Sequence, residues 1–358
     1  MIKKKWKIKL SAMLTAAALT VFAGCAGTGA SGSEATTESG PRYISVGFSQ
    51  LGAESDWRVA NTESIRGSLS RENGFDLMFD DAQQKQDKQI MAIRNFTQQE
   101  VDCIVLAPVM ETGWDTVLTE AHDANIPVVV VDRMVDITDD SLFTAWVGSD
   151  FRKEANIACE WLNEFSKVKE IAPEDLYIVD IQGTLGASAQ IGRTDGLQDA
   201  AEKYGWNIVA SEPADYTRAK GCEVMQKLLN EYENINVAYC ENDNEAIGVI
   251  DAIEASGRKA GTDIANGEIL VISFDAAHSG LSMVLEGKIA LDVECNPLQG
   301  EAVRNLINAI KNGEDFEKYT YVKESAFASD DTVNSVFLDD EICDITTITQ
   351  EILDEREY

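Results

Sequence analysis

Pro127 is followed by four valines in succession and then by Asp132 and Arg133. A strand with one wet face alternates apolar and polar residues; an unbroken apolar run marks a strand covered on both faces, as in parallel α/β sheets. In open parallel sheets the ligand sits beyond the carboxyl ends of the strands. Asp132 and Arg133 fall at that end, and their hydrogen-bonding capacity suits a molecule rich in hydroxyls.

The rest of the chain repeats the strand–helix alternation that such a sheet requires. Residues 43–49, 75–79, 101–109, 128–131 and 143–147 read as strands, separated by helices at 55–72, 86–98 and 114–124. The pattern then begins again. A helix over 152–166 sets Ala158, Trp161, Leu162 and Phe165 at i, i+3, i+4 and i+7. Strands at 176–181, 206–211, 237–240, 269–274 and 289–294 follow, with helices at 188–204, 218–231, 245–256 and 299–311. The fold class is α/β, with two doubly wound parallel-sheet domains. The acidic tail beyond Ser329 offers one terminal helix, 347–355, carrying Ile348, Ile352 and Leu353.

The N-terminus reads as an address. Lys3, Lys4, Lys5, Lys7 and Lys9 precede an apolar stretch of 13 residues, 10–22. That is shorter than the ~20 residues of a membrane span and fits the apolar region of a signal peptide. Phe22-Ala23-Gly24-Cys25 resembles a bacterial lipoprotein cleavage box, with Phe22 in place of the usual Leu or Val. On this reading residues 1–24 are removed and Cys25 carries the lipid. Residues 25–41, rich in Gly, Ser, Thr and Ala, are then a flexible tether, with a reach of roughly 20–25 Å. The expected location is extracytoplasmic, at the bacterial cell membrane.

Cleavage removes five lysines and takes the net charge from −32 to −37. Such a surface excludes nucleic acid, whose phosphates need clustered Lys and Arg, and attachment to anionic lipid by charge. It keeps a monomer soluble and self-repelling. Beside Cys25 there are Cys103, Cys159, Cys222, Cys240, Cys295 and Cys343. None has zinc-site spacing, so no metal is expected; so many scattered cysteines in an exported chain point to an oxygen-poor habitat, and disulfide pairing stays open.

Polar side chains gather where strands end. Ser49-Gln50 and the helix start Ser55-Asp56-Trp57-Arg58 follow the first strand, and Asp132-Arg133 the valine strand. In the second half come Gln182-Gly183-Thr184, then Arg193, Asp215-Tyr216, Glu241-Asn242-Asp243-Asn244 and Asp275. Asp, Asn and Arg satisfy sugar hydroxyls in fans of hydrogen bonds, and Trp57 and Tyr216 offer rings for the C–H face of a sugar.

These residues resemble a known family. VGFSQ at 46–50, Asp132-Arg133, Gln182-Gly183-Thr184, EPADYTRAKG at 212–221, Asn242-Asp243 and Phe274-Asp275 are similar to the pentose- and hexose-type periplasmic sugar-binding proteins of ABC importers. AESDWR at 53–58, QQKQ at 83–86, Ala107-Pro108-Val109 and Thr112-Gly113-Trp114 resemble its galactofuranose-binding members. The resemblance runs from about Tyr43 to Phe327. It implies that Trp57, Arg58, Asp132 and Arg133 meet a monosaccharide from the first domain, with Arg193, Tyr216, Asn242 and Asp275 closing from the second. Glu294 would add a further polar contact beside a hinge. It also implies three crossings between domains, near 147–148, 294–296 and 322–323. The first domain is then 42–147 with 297–322 and the second 148–296 with 323–358. The implied partner is an ABC permease with its ATPase, with no cofactor and no catalysis.

Other readings fit less well. The loop 183–188 follows a strand and opens a helix but is neither GxGxxG nor the Walker form. Asn242-Asp243-Asn244 lacks the Gly and distal Glu of a calcium loop. His122 and His278 have no partner at ligand spacing. A ligand-sensing repressor would carry a helix-turn-helix where this chain has a signal sequence. A binding protein feeding a membrane sensor or chemoreceptor is the alternative that the residues leave open.

Overall fold

The computed structural model describes residues 42–358; the signal peptide, Cys25 and the tether lie outside the described residues. The chain opens with β1 (Ile44–Gln50), α1 (Asp56–Ser68), β2 (Phe75–Asp81), α2 (Gln86–Gln98), β3 (Cys103–Leu106), α3 (Asp115–Asp123), β4 (Val128–Val131) and β5 (Ala145–Gly148). It continues through α4 (Phe151–Val168), β6 (Tyr177–Gln182), α5 (Ser188–Tyr204), β7 (Asn207–Pro213), α6 (Arg218–Glu231) and β8 (Val237–Cys240). After these come α7 (Asp243–Ala255), β9 (Leu270–Asp275), α8 (His278–Leu285), β10 (Leu291–Glu294), α9 (Gly300–Asn312), β11 (Tyr319–Tyr321) and β12 (Ala326–Ala328).

Two sheets result. The first has the order β11-β5-β4-β3-β1-β2 and is parallel throughout. The second contains β12-β10-β9-β8-β6-β7, parallel except where β12 runs against β10. Strand order and chain order together make the chain pass between the sheets three times: from β5 to α4, from β10 to α9, and from β11 to β12. Each sheet with its surrounding helices forms one lobe.

The valine run shows why two-sided burial fixes this architecture. Val128 and Val130 pack with Trp114, Leu118 and Trp146 on one face of the first sheet. Val129 and Val131 pack with Phe48, Ile65 and Val303 on the other. Each valine removed from water contributes roughly 1.5–3 kcal/mol, and a one-residue register slip would exchange the two faces. In the second lobe, Ile178 belongs to the core beneath α4 and α5, whereas Val179 and Ile181 belong to that beneath α6 and α7.

The region after β10 departs from the sequence reading. The short strands β11 and β12 were too brief to show a period. The acidic tail forms a hairpin of β13 (Ser335–Leu338) and β14 (Glu341–Asp344), then β15 (Thr346–Thr347), which joins the second sheet beside β12. The expected terminal helix is only α10 (Gln350–Asp354), because Thr349 caps it and accepts from the Ile352 amide. The strand expected over 143–147 begins at Ala145 instead.

Candidate functional site

The carboxyl ends of both sheets face one cavity. Glu54, Ser55, Trp57, Arg58, Asp132 and Arg133 line it from the first lobe. Phe151, Ala189, Arg193, Tyr216, Asn242 and Asp275 line it from the second, with Cys295 on a crossing segment.

Helix α1 delivers two of these residues because its first turn is pinned. Ser55 takes the N-cap position and accepts from the Arg58 amide at 3.2 Å. Trp57 and Arg58 then turn inward. The Trp57 indole donates to the Cys295 carbonyl at 2.5 Å. The Arg58 guanidinium lies 4.5 Å from the Trp57 ring centroid and donates to Asp132 at 2.6 Å and to Glu54 at 3.1 Å. Burial opposes the charge on Arg58, but Asp132 and Glu54 outweigh it and its pKa is raised. Arg133 donates to the Val109 carbonyl at 2.9 Å and approaches the same Glu54 carboxylate at 3.6 Å.

The second lobe has its own buried cation. Arg193 on α5 donates twice to Glu154, at 2.9 and 2.8 Å, and also to the Glu241 carbonyl. It stands 3.7 Å from Asp275 and has the Phe274 ring 4.8 Å away. Burial opposes its charge, yet Glu154, with Cys295 and Asp275 after it, outweighs this and its pKa is raised. Burial drives the Asp275 carboxyl upward, and Arg193 only partly offsets this.

Backbone strain marks the same strand ends. Asp132, Tyr216 and Asp275 have φ of 60°, 60° and 107°, a region costing non-glycine residues on the order of 1–3 kcal/mol. Gly183 supplies the matching space: a Cβ there would stand 1.9 Å from the Tyr216 ring. The Tyr216 amide donates to Glu245 at 2.6 Å, and Asn242 caps α7 by accepting from the Glu245 amide at 2.9 Å.

Several buried polar atoms at this cavity have no partner among the described residues: the Tyr216 hydroxyl, Arg58 Nη1 and Glu54 Oε2. Buried donors and acceptors are nearly always satisfied, and leaving one bare costs about 1–3 kcal/mol. All three belong to lining residues. The lobes also touch directly around the cavity: the Glu111 amide donates to the Gly186 carbonyl at 2.9 Å and the Met134 amide to Ser188 Oγ at 2.8 Å. At the rim, Ser279 donates to Asp56 at 2.9 Å.

Eight of the nine candidate binding residues therefore come together: Trp57, Arg58, Asp132, Arg133, Arg193, Tyr216, Asn242 and Asp275. Glu294 does not join them. Its carboxylate accepts from the Tyr358 hydroxyl at 2.6 Å and pairs with Arg356 at 2.8 Å, because the residue after it, Cys295, is the one lining the cavity. Gln50 and Gln182 are also occupied internally, by Asn61 and Thr62 and by Thr194. The sequence reading passed over Glu54, four residues before Arg58 and so on the same side of the incoming turn, and Phe151 and Ala189, which lack polar atoms.

One group of donor atoms has metal-like spacing. Glu154, Cys295 and Glu324 lie within 4.8 Å of one another. Arg193 already pairs with Glu154, so one of the three groups is taken. All six cysteines of the described region are free thiols.

Comparison with known proteins adds lineage to this geometry. A sequence model of the periplasmic binding protein domain matches residues 46–315. The galactofuranose-binding protein YtfQ of Escherichia coli is 38% identical over 292 residues, 80% of this chain and 88% of that protein. A Mycobacterium smegmatis crystal structure in complex with β-D-fucofuranose superposes with a TM-score of 0.75 at 38% identity, covering 81% of this chain and 92% of that one. The binding component of an arabinose ABC transporter from Shewanella sp. ANA-3, bound to L-arabinofuranose, gives 0.74 at 37% identity, with 80% and 93% covered.

Proposed function

The chain belongs to the periplasmic binding protein family, and on that premise we propose that it captures a monosaccharide in its furanose form, galactofuranose or a related aldose, between its two lobes. The observation that carries this reading is the cavity itself. It draws charged and aromatic side chains from both lobes, and it leaves the Tyr216 hydroxyl, Arg58 Nη1 and Glu54 Oε2 bare. A sugar hydroxyl both donates and accepts, so it can satisfy all three. The furanose ligands of the solved relatives favour a five-membered ring.

The mechanism is hinge closure. The lobes, residues 42–147 with 297–322 and 148–296 with 323–358, separate and rejoin about the three crossings. A ligand gripped by Asp132 and Arg58 on one side and Arg193, Asn242 and Asp275 on the other favours the joined state through its differential affinity. Each hydrogen bond to a charged group contributes about 1.5–3 kcal/mol. The closed protein, held at the membrane outside the cytoplasm by the lipid on Cys25, docks on an ABC permease, where opening releases the sugar. The site binds without transforming its ligand.

A thermal-shift and calorimetric panel of furanose and pyranose sugars tests the reading, since a ligand specific to the folded state raises the melting temperature. A furanose should bind at least tenfold more tightly than its pyranose counterpart. Equal or tighter binding of pyranoses would overturn the ring preference, and no stabilisation by any sugar would overturn the reading as a whole.

A further inference from the structure

Asp275 reaches the cavity from an unusual turn. Its own φ is 107° and that of Ala276 is 50°, so the backbone is left-handed at two successive residues that carry a Cβ. Strain of this kind persists only where surrounding groups over-determine it. Two buried carboxylates do so here. Asp292 on β10 accepts from the Ala276 amide at 3.0 Å, and Asp243 at the start of α7 accepts from the Ala277 amide at 2.8 Å.

The two acids are neighbours. They serve successive amides of one turn, and both are essentially inaccessible to water. Asp243 is further fixed by the Ser273 hydroxyl, which donates to it at 2.6 Å. Helix α8 presses against it through Gly280, where a Cβ would stand 2.2 Å from the carboxyl. Asp292 Oδ2 has no donor among the described residues. A proton held between the two carboxyls supplies one, and leaves a single negative charge at the amino end of α8, where the helix dipole favours it.

We propose that Asp243 and Asp292, sharing one proton, act as a latch beneath the 275–277 turn, positioning Asp275 toward the ligand, and that losing this proton releases the turn. The positioning role rests on the binding function proposed above; the latch itself does not. The charged and titratable groups facing the pair are Asp275 on β9, Arg356 beyond α10 and the buried Cys240 thiol at the end of β8. Arg356 also donates to the Ala276 carbonyl at 2.8 Å, so it ties the same turn from the outside. Burial pushes both acids up, Asp292 to about 7. With both acids raised, the pair is protonated at mildly acid pH and gives up protons as pH rises above neutrality.

Amide hydrogen exchange at Ala276 and Ala277, expressed relative to intrinsic rates and measured without ligand, reads the latch directly. Protection in the native chain should be at least tenfold greater at about pH 6 than at about pH 9. In Asp292→Asn, which keeps an acceptor for Ala276 and cannot lose the proton, it should be equal at both. Protection independent of pH in the native chain, or a parallel fall in Asp292→Asn, would overturn the latch. Calorimetry with the tightest sugar of the panel reads the positioning: affinity should weaken at least tenfold over the same interval in the native chain and stay constant in Asp292→Asn. Affinity that ignores pH while exchange follows it would overturn the positioning role. Absence of any sugar binding would overturn the functional reading and its positioning corollary, with the exchange result still deciding the latch.

Discussion

The guanidinium of Arg133 lies 5.0 Å from the centre of the Tyr216 ring. Arg133 follows a strand of the first sheet and Tyr216 a strand of the second, so this cation–π contact spans the cleft. In a buried setting such a contact contributes up to about 2 kcal/mol. It biases the two lobes toward closure before any ligand arrives. Arg133→Ala should therefore shift the unliganded protein toward the open state, read as a larger radius of gyration in X-ray scattering, while saturating sugar restores the compact form.

The Tyr216 hydroxyl is buried without a partner. Tyr216→Phe removes an unsatisfied group, so the unliganded protein should melt at the same temperature or up to a few degrees higher. Sugar affinity should move the other way, falling about tenfold, because one ligand hydroxyl loses its partner. Melting curves and calorimetry on the same preparation separate the two effects.

Asp132 pairs with the buried Arg58. Truncation to alanine would leave Arg58 with Glu54 alone, and breaking a buried pair costs about 3–5 kcal/mol, so Asp132→Ala should lose stability as well as affinity. Asp132→Asn keeps the shape and is the cleaner test. Its affinity should fall at least tenfold by calorimetry, with a smaller loss of melting temperature than the alanine variant shows.

Trp57 is the one tryptophan among the cavity-lining residues. Its emission should change when sugar binds, whereas Trp114, Trp146, Trp161 and Trp206 lie in lobe cores. Most of the sugar-dependent fluorescence change should vanish in Trp57→Phe.

Stability should depend on pH in an uncommon direction. Burial raises Asp180 and Asp292 from 3.8 to about 7, and Glu324 from 4.5 to about 9. Because the folded state holds these protons more tightly, the stabilisation they give is complete below about pH 4 and lost as pH rises through 7 and then 9. The melting temperature should be more than about 5 °C higher at pH 5 than at pH 9. Asp180→Asn should flatten the part of the slope around neutrality.

The site was legible where chemistry coincided with periodicity. The valine run announced a covered strand, so Asp132 and Arg133 could be read as standing at its exit. Trp57 and Arg58 followed from a capped helix start. Glu294 could not be assigned the same way, because its partners Arg356 and Tyr358 lie more than sixty residues on, in a tail whose elements are too short to carry a period. Cys295 and Ala189 escaped for another reason: apolar side chains line a cavity only by virtue of tertiary placement. The latch acids Asp243 and Asp292 sit within strand-end and strand patterns that do not say which of their neighbours they will touch.

The left-handed backbone at Asp132, Tyr216 and Asp275 also bears on how such a cleft could be retargeted. Outside glycine, that conformation is adopted most readily by Asn and Asp, so the alphabet usable at positions 132 and 275 is narrow. Trp57 on α1, Phe151 on α4 and Ala189 on α5 have ordinary helical backbones, which set no such limit. A library meant to change sugar preference should vary those three helical positions and leave the strained strand ends, with Arg58 paired to Asp132, untouched.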